Sequence, residues 1–352
     1  MKAIILAGGI GSRLQPLTYN IPKPAISLFD KAFIKYQIEL LEKHNVKDIV
    51  INTHYLHNHL ENILGDGSEL GVNIYYSHEE IPMGTAGSVK LAEKYFDDEL
   101  IIILNGDILT DIDITSLVNS HIEKKADITL ALTRVKNPTE YGLIFSDKDM
   151  RIKQFLEKPS YDEAVVDTVN AGVYIVSSNI FKDIPKNKAY SFERDLFPNL
   201  LMQGKRIFAY IDNYYWLDIG TPEKYYQAHK DALLNRIKLD IPAKNVSNNI
   251  WLGENVEIEE TSFLKDSIFL GDNVKIKDRC FIDEFSVISE NVILGNNSKV
   301  HKSIIFPNTR IGENCTIEKC IIGKNCTIED YSRITKSCII ADNSVIKKGT
   351  FI

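Results

Sequence analysis

The first apolar run of the chain is followed by a glycine-rich loop and two basic residues. The stretch "LAGGIGSRLQPLTYNIPKP" places Gly8, Gly9 and Gly11 ahead of Arg13 and Lys23. Glycine permits tight turns that aim backbone N–H groups at an anion, and arginine can hold two phosphate oxygens at once. Three prolines restrict the path of the loop, which keeps the two cations in place. The stretch predicts a site for a small phosphate.

The spacing of this loop excludes two common nucleotide motifs. The third glycine of a dinucleotide fingerprint would fall at Leu14, and no Gly-Lys-Ser/Thr follows as in a Walker loop. Ser12 can still bond to a phosphate. From this stretch alone, a glycine turn with solvated surface cations remains open as the alternative.

Two aspartates follow strand-like runs. Asp107 ends "LIIILNGD", and Asp218 lies in "NYYWLDIGTP". Ligands and metals in α/β sheets collect at the carboxyl ends of strands, and carboxylates are ligands that Mg²⁺ prefers. The alternative for an aspartate in such a place is a turn or helix cap, a role that Asp111 and Asp113 fit better. Thr221 and Pro222 are typical of an N-cap and the first helical position.

Three shorter motifs are weak when taken singly. "GTAG" at residues 84–87 lies at a predicted helix start, where N–H groups point outward, with Glu79 shortly upstream. "EKP" holds Glu157 and Lys158, and "NAG" begins at Asn170. The histidines are interpreted as surface or packing residues, including His78 beside Glu79.

The elements that must position these residues alternate between strand and helix over the first ~235 residues, which predicts an α/β domain with a parallel or mixed central sheet. The predicted strands are 3–7, 48–53, 73–76, 100–105, 128–135, 142–145, 172–176 and 206–211. The predicted helices are 33–44, 86–95, 114–123, 193–202 and 222–235.

A different period begins at Leu252. An aliphatic residue recurs every six positions as far as Val300 and, after one-residue slips, again from Ile305 to Ile346. Small or β-branched residues follow four positions later. This period predicts a parallel β-helix of hexapeptide repeats. We therefore expect a catalytic domain over residues 1–236, a linker over 237–249 and the β-helix over 250–352.

Cysteine usage follows from the same period. Four of the five cysteines fall on the small inner position and the fifth lies just beside it, so all five are interpreted as small buried hydrophobes. Their number and spacing do not indicate a disulfide framework. They are Cys280, Cys315, Cys326 and Cys338, with Cys320 beside that position.

Composition limits the partners. The chain has 352 residues and a formal net charge of −7, which argues against a nucleic-acid or anionic-membrane surface. No apolar run reaches the ~20 residues of a membrane helix, and the first apolar run is too short for a signal peptide. We expect a cytoplasmic protein with small-molecule substrates.

In order and spacing, these motifs resemble those of the sugar-1-phosphate nucleotidylyltransferase family. The matching motifs are L-A-G-G-x-G-(S/T)-R-L-x-P-L-T with P-K-P, then G-T-A-G, N-G-D, E-K-P, N-A-G and W-x-D-x-G-T-P, over residues 1 to about 235. The resemblance implies a Rossmann-like mixed central sheet in the nucleotidyltransferase domain. With the repeats, the expected fold is α/β followed by a left-handed parallel β-helix.

The resemblance also implies roles for residues. Those expected to hold the nucleotide are Leu6, Ala7, Gly8, Gly9, Gly11 and Ser12, with Arg13 and Lys23 on its phosphates and Glu79, Gly84 and Thr85 at the base. Asp107 and Asp218 are expected to hold Mg²⁺. The expected sugar-phosphate site comprises Asp107, Tyr141, Gly142, Glu157, Asn170 and Gly172, with Lys158 on the phosphate.

The expected chemistry needs no activating base, because the attacking sugar phosphate is already an anion; positioned cations must bring two polyanions together. A carboxylate such as Glu79 accepts both N–H donors of guanine, which favours GTP. Within the family, the resemblance of the attached β-helix and of "SHEEIPMGTAG" implies mannose 1-phosphate as the sugar substrate. Heptose 1-phosphate, glucose 1-phosphate, dTTP and UTP remain alternatives within the family.

Two further alternatives belong to other classes. One is a regulatory subunit that keeps the fold without turnover, against which the intact cations and aspartates argue. The other is a hexapeptide-repeat acyltransferase, which needs a histidine base; His301 lies in the repeats. The β-helix is expected to pack on the catalytic domain and to build a homo-oligomer.

Overall fold

The computed structural model describes residues 1–96, 99–157, 166–335 and 337–352, and only the backbone of Glu157. The chain forms two compact units. The first comprises Met1–Ile10, Pro22–Ala25 and Ile34–Asp218, and the second comprises Gly11–Ile21, Ile26–Phe33 and Ile219–Ile352. The boundaries at residues 236 and 249 stay predictions. Within the described residues, no helix combines the length and hydropathy needed to cross a membrane.

The first unit alternates strands and helices, as the sequence predicts. Its strands are β1 (Lys2–Leu6), β2 (Asp48–Thr53), β3 (Asn73–His78), β4 (Leu100–Asn105), β5 (Ile108–Thr110), β6 (Ile128–Arg134), β7 (Gly142–Ser146), β8 (Ile152–Glu157), β9 (Thr168–Ser177), β10 (Ile207–Ile211) and β11 (Trp216–Asp218). Its helices are α1 (Phe33–Lys43), α2 (His57–Leu64), α3 (Gly84–Leu91), α4 (Ile114–Glu123) and α5 (Phe197–Met202).

A nine-stranded mixed sheet forms the centre of this unit. Its order is β8-β7-β9-β4-β1-β2-β3, and β6 pairs with both β9 and β10. Strands β4, β1, β2 and β3 run parallel, whereas β9 is antiparallel to β4. The middle of β4 is fully buried, as expected for a run of aliphatic residues covered on both faces. The predicted Rossmann-like mixed sheet is confirmed.

Several elements escape the sequence pattern. Helix α2, "HNHLENIL", buries only Leu60 and Leu64, so its apolar period is short. Strands β5 and β11 have three residues each and, among the described strands, pair only with one another. The predicted helix 193–202 begins as a π-turn, Phe192–Leu196, which α5 continues.

The second unit contains a short hairpin, Ser27–Leu28 with Lys31–Ala32, and helix α6 (Pro222–Leu233). Thr221 caps α6 by accepting a hydrogen bond from the Lys224 amide, and Pro222 occupies the first turn, as predicted. Helix α6 packs on the β-helix, where Tyr225 meets Phe306.

The β-helix consists of three sheets of short strands. The first contains Lys244–Ser247, Ile250–Leu252, Ile268–Leu270, Val287–Ile288, Ile304–Ile305, Ile321–Ile322 and Ile339–Ile340. The second contains Glu257–Ile258, Lys275–Ile276, Ile293–Leu294, Arg310–Ile311, Thr327–Ile328 and Val345–Ile346. The third contains Phe263–Leu264, Phe281–Ile282, Lys299–His301, Thr316–Glu318 and Arg333–Ile334. All pair in parallel except the first strand, which confirms the predicted parallel β-helix.

The slips in the period appear as shorter coils. Phe269 pairs with Val287, so the coil between them has 18 residues. Val287 pairs with Ile304, and Ile304 pairs with Ile321, so each of these two coils has 17 residues. Many corner residues are asparagines in the left-handed region, which asparagine tolerates better than most residues.

The cysteines of the β-helix are structural, as the period predicts. Cys280, Cys315, Cys320 and Cys326 are buried in its core, and none of the five cysteines forms a disulfide. Each buried thiol donates to a backbone carbonyl, as Cys280 does to Gly295. Burial raises the pKa of the Cys320 thiol to about 11, which suppresses its reactivity.

Candidate active site

The Asn-Gly-Asp turn lies beside the end of β1. The Gly106 amide donates to the Leu6 carbonyl at 3.0 Å, and a Cβ at Gly106 would approach that oxygen to 2.6 Å. Only glycine fits this approach. The turn thereby places Asp107 at the carboxyl edge of the sheet, where the glycine loop begins.

The pairing of β5 with β11 brings the second aspartate to this turn. Asp218 lies opposite Ile108, the residue after Asp107. The Tyr141 hydroxyl donates to Asp218 Oδ1 at 2.9 Å and orients that carboxylate. Asp107 directly precedes β5 and Asp218 ends β11, and their carboxylates are hard oxygen donors of the kind that a divalent cation such as Mg²⁺ prefers.

Lys23 forms an ion pair with Asp107. Its Nζ lies 2.6 Å from Asp107 Oδ2, and the side chains are 11% and 34% exposed, respectively. Low exposure strengthens the charge-assisted bond relative to a surface pair. The pair places one cation of the opening motif at the predicted metal ligand.

Gln37 of α1 positions the turn, although it is not among the site residues predicted from the sequence. Its side chain is buried, and its Nε2 donates to the carbonyls of Asn105 and Ile108, on both sides of Asp107, at 2.9 and 2.8 Å. A single buried amide among apolar helix residues is the signal that could have drawn attention to it.

The Asn-Ala-Gly motif packs against the same turn. Gly172 has φ +71°, and a Cβ there would lie 2.7 Å from the side-chain nitrogen Nδ2 of Asn105. Its amide donates to Asn170 Oδ1 at 3.0 Å. Trp216 Nε1 donates to the Ala171 carbonyl at 2.8 Å. Gly172, with Asn170 bonded to it, thus lies against Asn105 in the turn that carries Asp107.

Tyr141 connects these groups from the start of β7. Its ring and the Trp216 ring form a T-shaped pair with centroids 5.6 Å apart, and its hydroxyl donates to Asp218. Gly142 follows it, and the backbone of Glu157 pairs with Gly142 across β7 and β8. Lys158 lies outside the described residues.

Glu193 is a second residue that sequence reasoning missed. Its carboxylate accepts from Tyr174 Oη at 3.1 Å, Asn170 Nδ2 at 3.4 Å and Thr85 Oγ1 at 3.2 Å. Burial raises the pKa of Tyr174 well above its ordinary value, so the phenol stays a donor. Glu193, Asn170 and Gly142 line one small cavity.

The Gly-Thr-Ala-Gly motif is packed rather than open. The amides of Ala86 and Gly87 both donate to the Tyr190 carbonyl at 2.9 Å, so these two N–H groups do not point outward as expected. A Cβ at Gly84 would lie 2.8 Å from the same oxygen. Thr85 accepts from the Phe192 amide. These contacts are structural, and the role of Gly84 and Thr85 toward a base stays a prediction.

Glu79 stands between this motif and the glycine loop. Its Oε2 accepts from the Met83 amide at 3.0 Å, and its Oε1 accepts from the Ser88 hydroxyl. Glu79 is 8% exposed. A Cβ at Gly8 would lie 3.7 Å from Glu79 Oε1, so bare backbone at Gly8 faces this carboxylate.

The remainder of the loop has two parts. The Ala7 amide donates to the Asn52 carbonyl, whereas Gly9 is exposed with open space around it. In the second unit, Gly11 adopts φ +69° and its carbonyl accepts from the Thr18 hydroxyl.

A short 3₁₀ turn, Ser12–Leu14, follows Gly11 and presents Ser12 and Arg13 to solvent, while Leu14 is buried. The buried leucine anchors the turn that carries the predicted phosphate-binding arginine.

The comparisons with known proteins agree with this geometry. Residues 2–235 match the family described as Nucleotidyl transferase, and residues 247–352 match the EIF2B subunit epsilon LbH domain. A mannose-1-phosphate guanyltransferase of Debaryomyces hansenii is 33% identical, over 100% of this chain and 94% of that protein.

Two further similarities cover about two thirds to three quarters of the chain. A UTP–glucose-1-phosphate uridylyltransferase of Synechocystis is 34% identical over 73% of this chain and 70% of that protein. The crystal structure of HddC from Yersinia pseudotuberculosis is 30% identical, with a TM-score of 0.57 over 64% of this chain and 97% of that chain. The family match covers more than half of the residues, and the chain belongs to the nucleotidyl transferase family.

Proposed function

We propose that this chain transfers a guanylyl group from GTP to mannose 1-phosphate, forming GDP-mannose and pyrophosphate. The observation that carries the choice of substrates is the similarity to the mannose-1-phosphate guanyltransferase of Debaryomyces hansenii along the whole chain, the β-helix included. The nucleotidyl transferase family and the clustered carboxylates and lysine support the reaction type.

The reaction is an in-line displacement at phosphorus. An oxygen of the sugar phosphate forms a bond to the α-phosphorus of GTP, and the bond from that phosphorus to the bridging oxygen of pyrophosphate breaks. The nucleophile is an anion throughout, so no side chain has to remove a proton. The barrier comes from bringing negative charges together, which fixed cations lower.

The chain supplies this charge from its opening motif. Arg13 and Lys23 contact the phosphates of GTP, while backbone at Gly8 and Gly9 admits the nucleotide. Lys23 leaves Asp107 for a phosphate oxygen when the nucleotide arrives. When bound by Asp107 and Asp218, Mg²⁺ supplies positive charge that stabilises the phosphorane-like transition state.

The sugar phosphate lies on the opposite side of the turn. Tyr141, Gly142, Asn170 and Gly172 line its pocket, and Glu193 joins them through Asn170. In this proposal Glu157 bonds to sugar hydroxyls and Lys158 contacts the sugar phosphate.

Glu79 reads the base in this proposal. The Met83 amide and the Ser88 hydroxyl hold its carboxylate beside Gly8, which supports a fixed acceptor for the N1–H and N2–H of guanine. Uracil and thymine offer one ring N–H and gain less from a carboxylate.

A second candidate is uridylyl transfer from UTP to glucose 1-phosphate. The similarity to the Synechocystis uridylyltransferase favours it. The site chemistry at the phosphates is the same in both reactions, so the two candidates differ only at the base and the sugar.

The test is pyrophosphate release from the full chain with GTP, UTP, dTTP and ATP against mannose, glucose and heptose 1-phosphates, in Mg²⁺. The highest kcat/KM is expected for GTP with mannose 1-phosphate. A higher value for UTP with glucose 1-phosphate would select the second candidate. Release with none of the pairs would overturn the proposed activity. Assembly of a homo-oligomer through the β-helix stays a separate prediction, which sedimentation velocity checks.

A further inference from the structure

Helix α2 and the end of β3 bring together two imidazoles and a carboxylate. His57 and Glu61 lie one helical turn apart, and His78 is the last residue of β3. The distance to Glu61 Oε1 is 3.1 Å from His57 Nδ1 and 3.4 Å from His78 Nε2. All three ligand atoms lie within 4.8 Å of one another.

A buried hydroxyl orients one of the imidazoles. Thr53, the last residue of β2, is fully buried, and its Oγ1 lies 2.8 Å from His78 Nδ1. When this hydroxyl accepts from Nδ1–H, the lone pair of Nε2 faces Glu61. Histidines that bind metals characteristically have such a partner on the second ring nitrogen.

We propose that His57, Glu61 and His78 bind a Zn²⁺ ion in an open site with three protein ligands. Two imidazoles and a carboxylate suit Zn²⁺, whereas Mg²⁺ prefers oxygen ligands. Tetrahedral bonds of about 2.1 Å separate ligand atoms by about 3.4 Å, which the distances to Glu61 approach. The side chains are 45%, 36% and 46% exposed, so water completes the coordination.

This site is distinct from the two aspartates. His78 ends β3, whereas Asp107 follows β4, and strands β1 and β2 lie between them in the sheet. Three strand spacings of about 4.8 Å separate the two by roughly 14 Å. An ion on His78 ties α2 to the backbone one residue before Glu79. The site therefore goes beyond the proposed transfer reaction and does not depend on it.

The test is a titration of the metal-free full chain with ZnCl₂ in excess Mg²⁺, measured by isothermal titration calorimetry. One Zn²⁺ per chain is expected. His57→Ala, His78→Ala and Glu61→Gln should each weaken binding at least about tenfold. His59→Ala, on the same helix outside the cluster, is the matched control and should bind as the wild type does. Equal Zn²⁺ affinity in the wild type and His57→Ala/His78→Ala would overturn the proposal.

Two measurements that involve no substrate separate this proposal from the transfer reaction. Co²⁺ in place of Zn²⁺ should produce visible absorption bands of a four-coordinate site, which His78→Ala abolishes. Zn²⁺ should also raise the Tm of the wild type and of His59→Ala but not that of His57→Ala, because only binding to the native state stabilises it. Unchanged far-UV circular dichroism without metal shows that the variants are folded. Bands and Tm shifts that persist in the cluster variants would contradict the site.

Discussion

Lys23 Nζ and Asp107 Oδ2 lie 2.6 Å apart although 84 positions separate them in the chain. The lysine belongs to the opening glycine motif and the aspartate to the turn after β4. A cation predicted for a phosphate and an anion predicted for a metal thus neutralise each other in this structure. Binding of a metal nucleotide offers each of them a new partner of opposite charge.

The aspartates are the first point to test. Asp107→Asn and Asp218→Asn should each lower kcat for pyrophosphate release roughly 10²–10³-fold, because an amide is a poorer ligand for a divalent cation. Circular dichroism should show unchanged folding. Asp111→Asn is the matched control, since the Asp111 carboxylate accepts from the Tyr215 amide and is not a predicted metal ligand. Near-normal turnover in either site variant would refute the metal assignment.

Base selection at Glu79 gives the second prediction. Glu79→Gln should lower kcat/KM for GTP about 10–100-fold and lower that for UTP much less, because an amide accepts only one of the guanine donors. Glu80→Gln, the same change at the exposed neighbouring position, serves as the control. A parallel fall for both nucleotides in Glu79→Gln would assign the carboxylate to packing.

Gln37 should act through the turn that it holds. Gln37→Leu removes two hydrogen bonds, to the carbonyls of Asn105 and Ile108, so the free energy of unfolding should fall by about 2–4 kcal/mol. The Mg²⁺ concentration for half-maximal rate should rise as well. Ile38→Val, buried on the same helix, should lose about 1 kcal/mol without that shift. The same Mg²⁺ dependence in both variants would exclude a positioning role for Gln37.

Two glycines with nearly the same positive φ differ in their surroundings. Gly172 has φ +71° against the Asn105 side chain, and Gly204 has φ +73° in open space. Gly204→Ala should therefore cost only the backbone strain, about 1–2 kcal/mol. Gly172→Ala should cost roughly 1–3 kcal/mol more, because the methyl group displaces Asn105. Denaturant unfolding measures both, and equal losses would show that Asn105 moves freely.

The stability of the second unit should depend on pH through Asp30. Burial raises the pKa of this carboxyl to about 6 from its ordinary 3.8, although the Glu290 amide donates to it. The folded state therefore binds the proton more tightly than the unfolded state. The resulting stabilisation is complete below pH 3.8 and is lost as pH rises through 6.

Asp30→Asn removes this dependence. Relative to wild type, its free energy of unfolding should increase between pH 4 and pH 7 by about 3 kcal/mol at most. Asp266→Asn, at an exposed position, is the control and should follow the wild type. A pH profile of Asp30→Asn that parallels the wild type would contradict the raised pKa.

Local pattern was sufficient for the architecture. The period of six predicted the β-helix because each coil repeats the same inward position, and Cys280 and Cys315 lie on it. Alternating apolar runs predicted most strands of the sheet within one or two residues. Short elements such as β5 and β11 carry too few residues for a period, so the pairing that joins Ile108 to Asp218 could not be predicted.

The amino-acid sequence by itself thus determined the α/β fold, the β-helix and the kinds of side chain that are available for catalysis. Tertiary structure decided which groups meet. Lys23 reaches Asp107, Gln37 holds the turn beneath it, and Glu193 joins Asn170 through contacts that no spacing along the chain encodes. The same holds for His57 and His78, which the helix α2 and the edge strand bring to one carboxylate. Sequence periodicity reports local geometry, whereas such sites arise where separate strand ends converge.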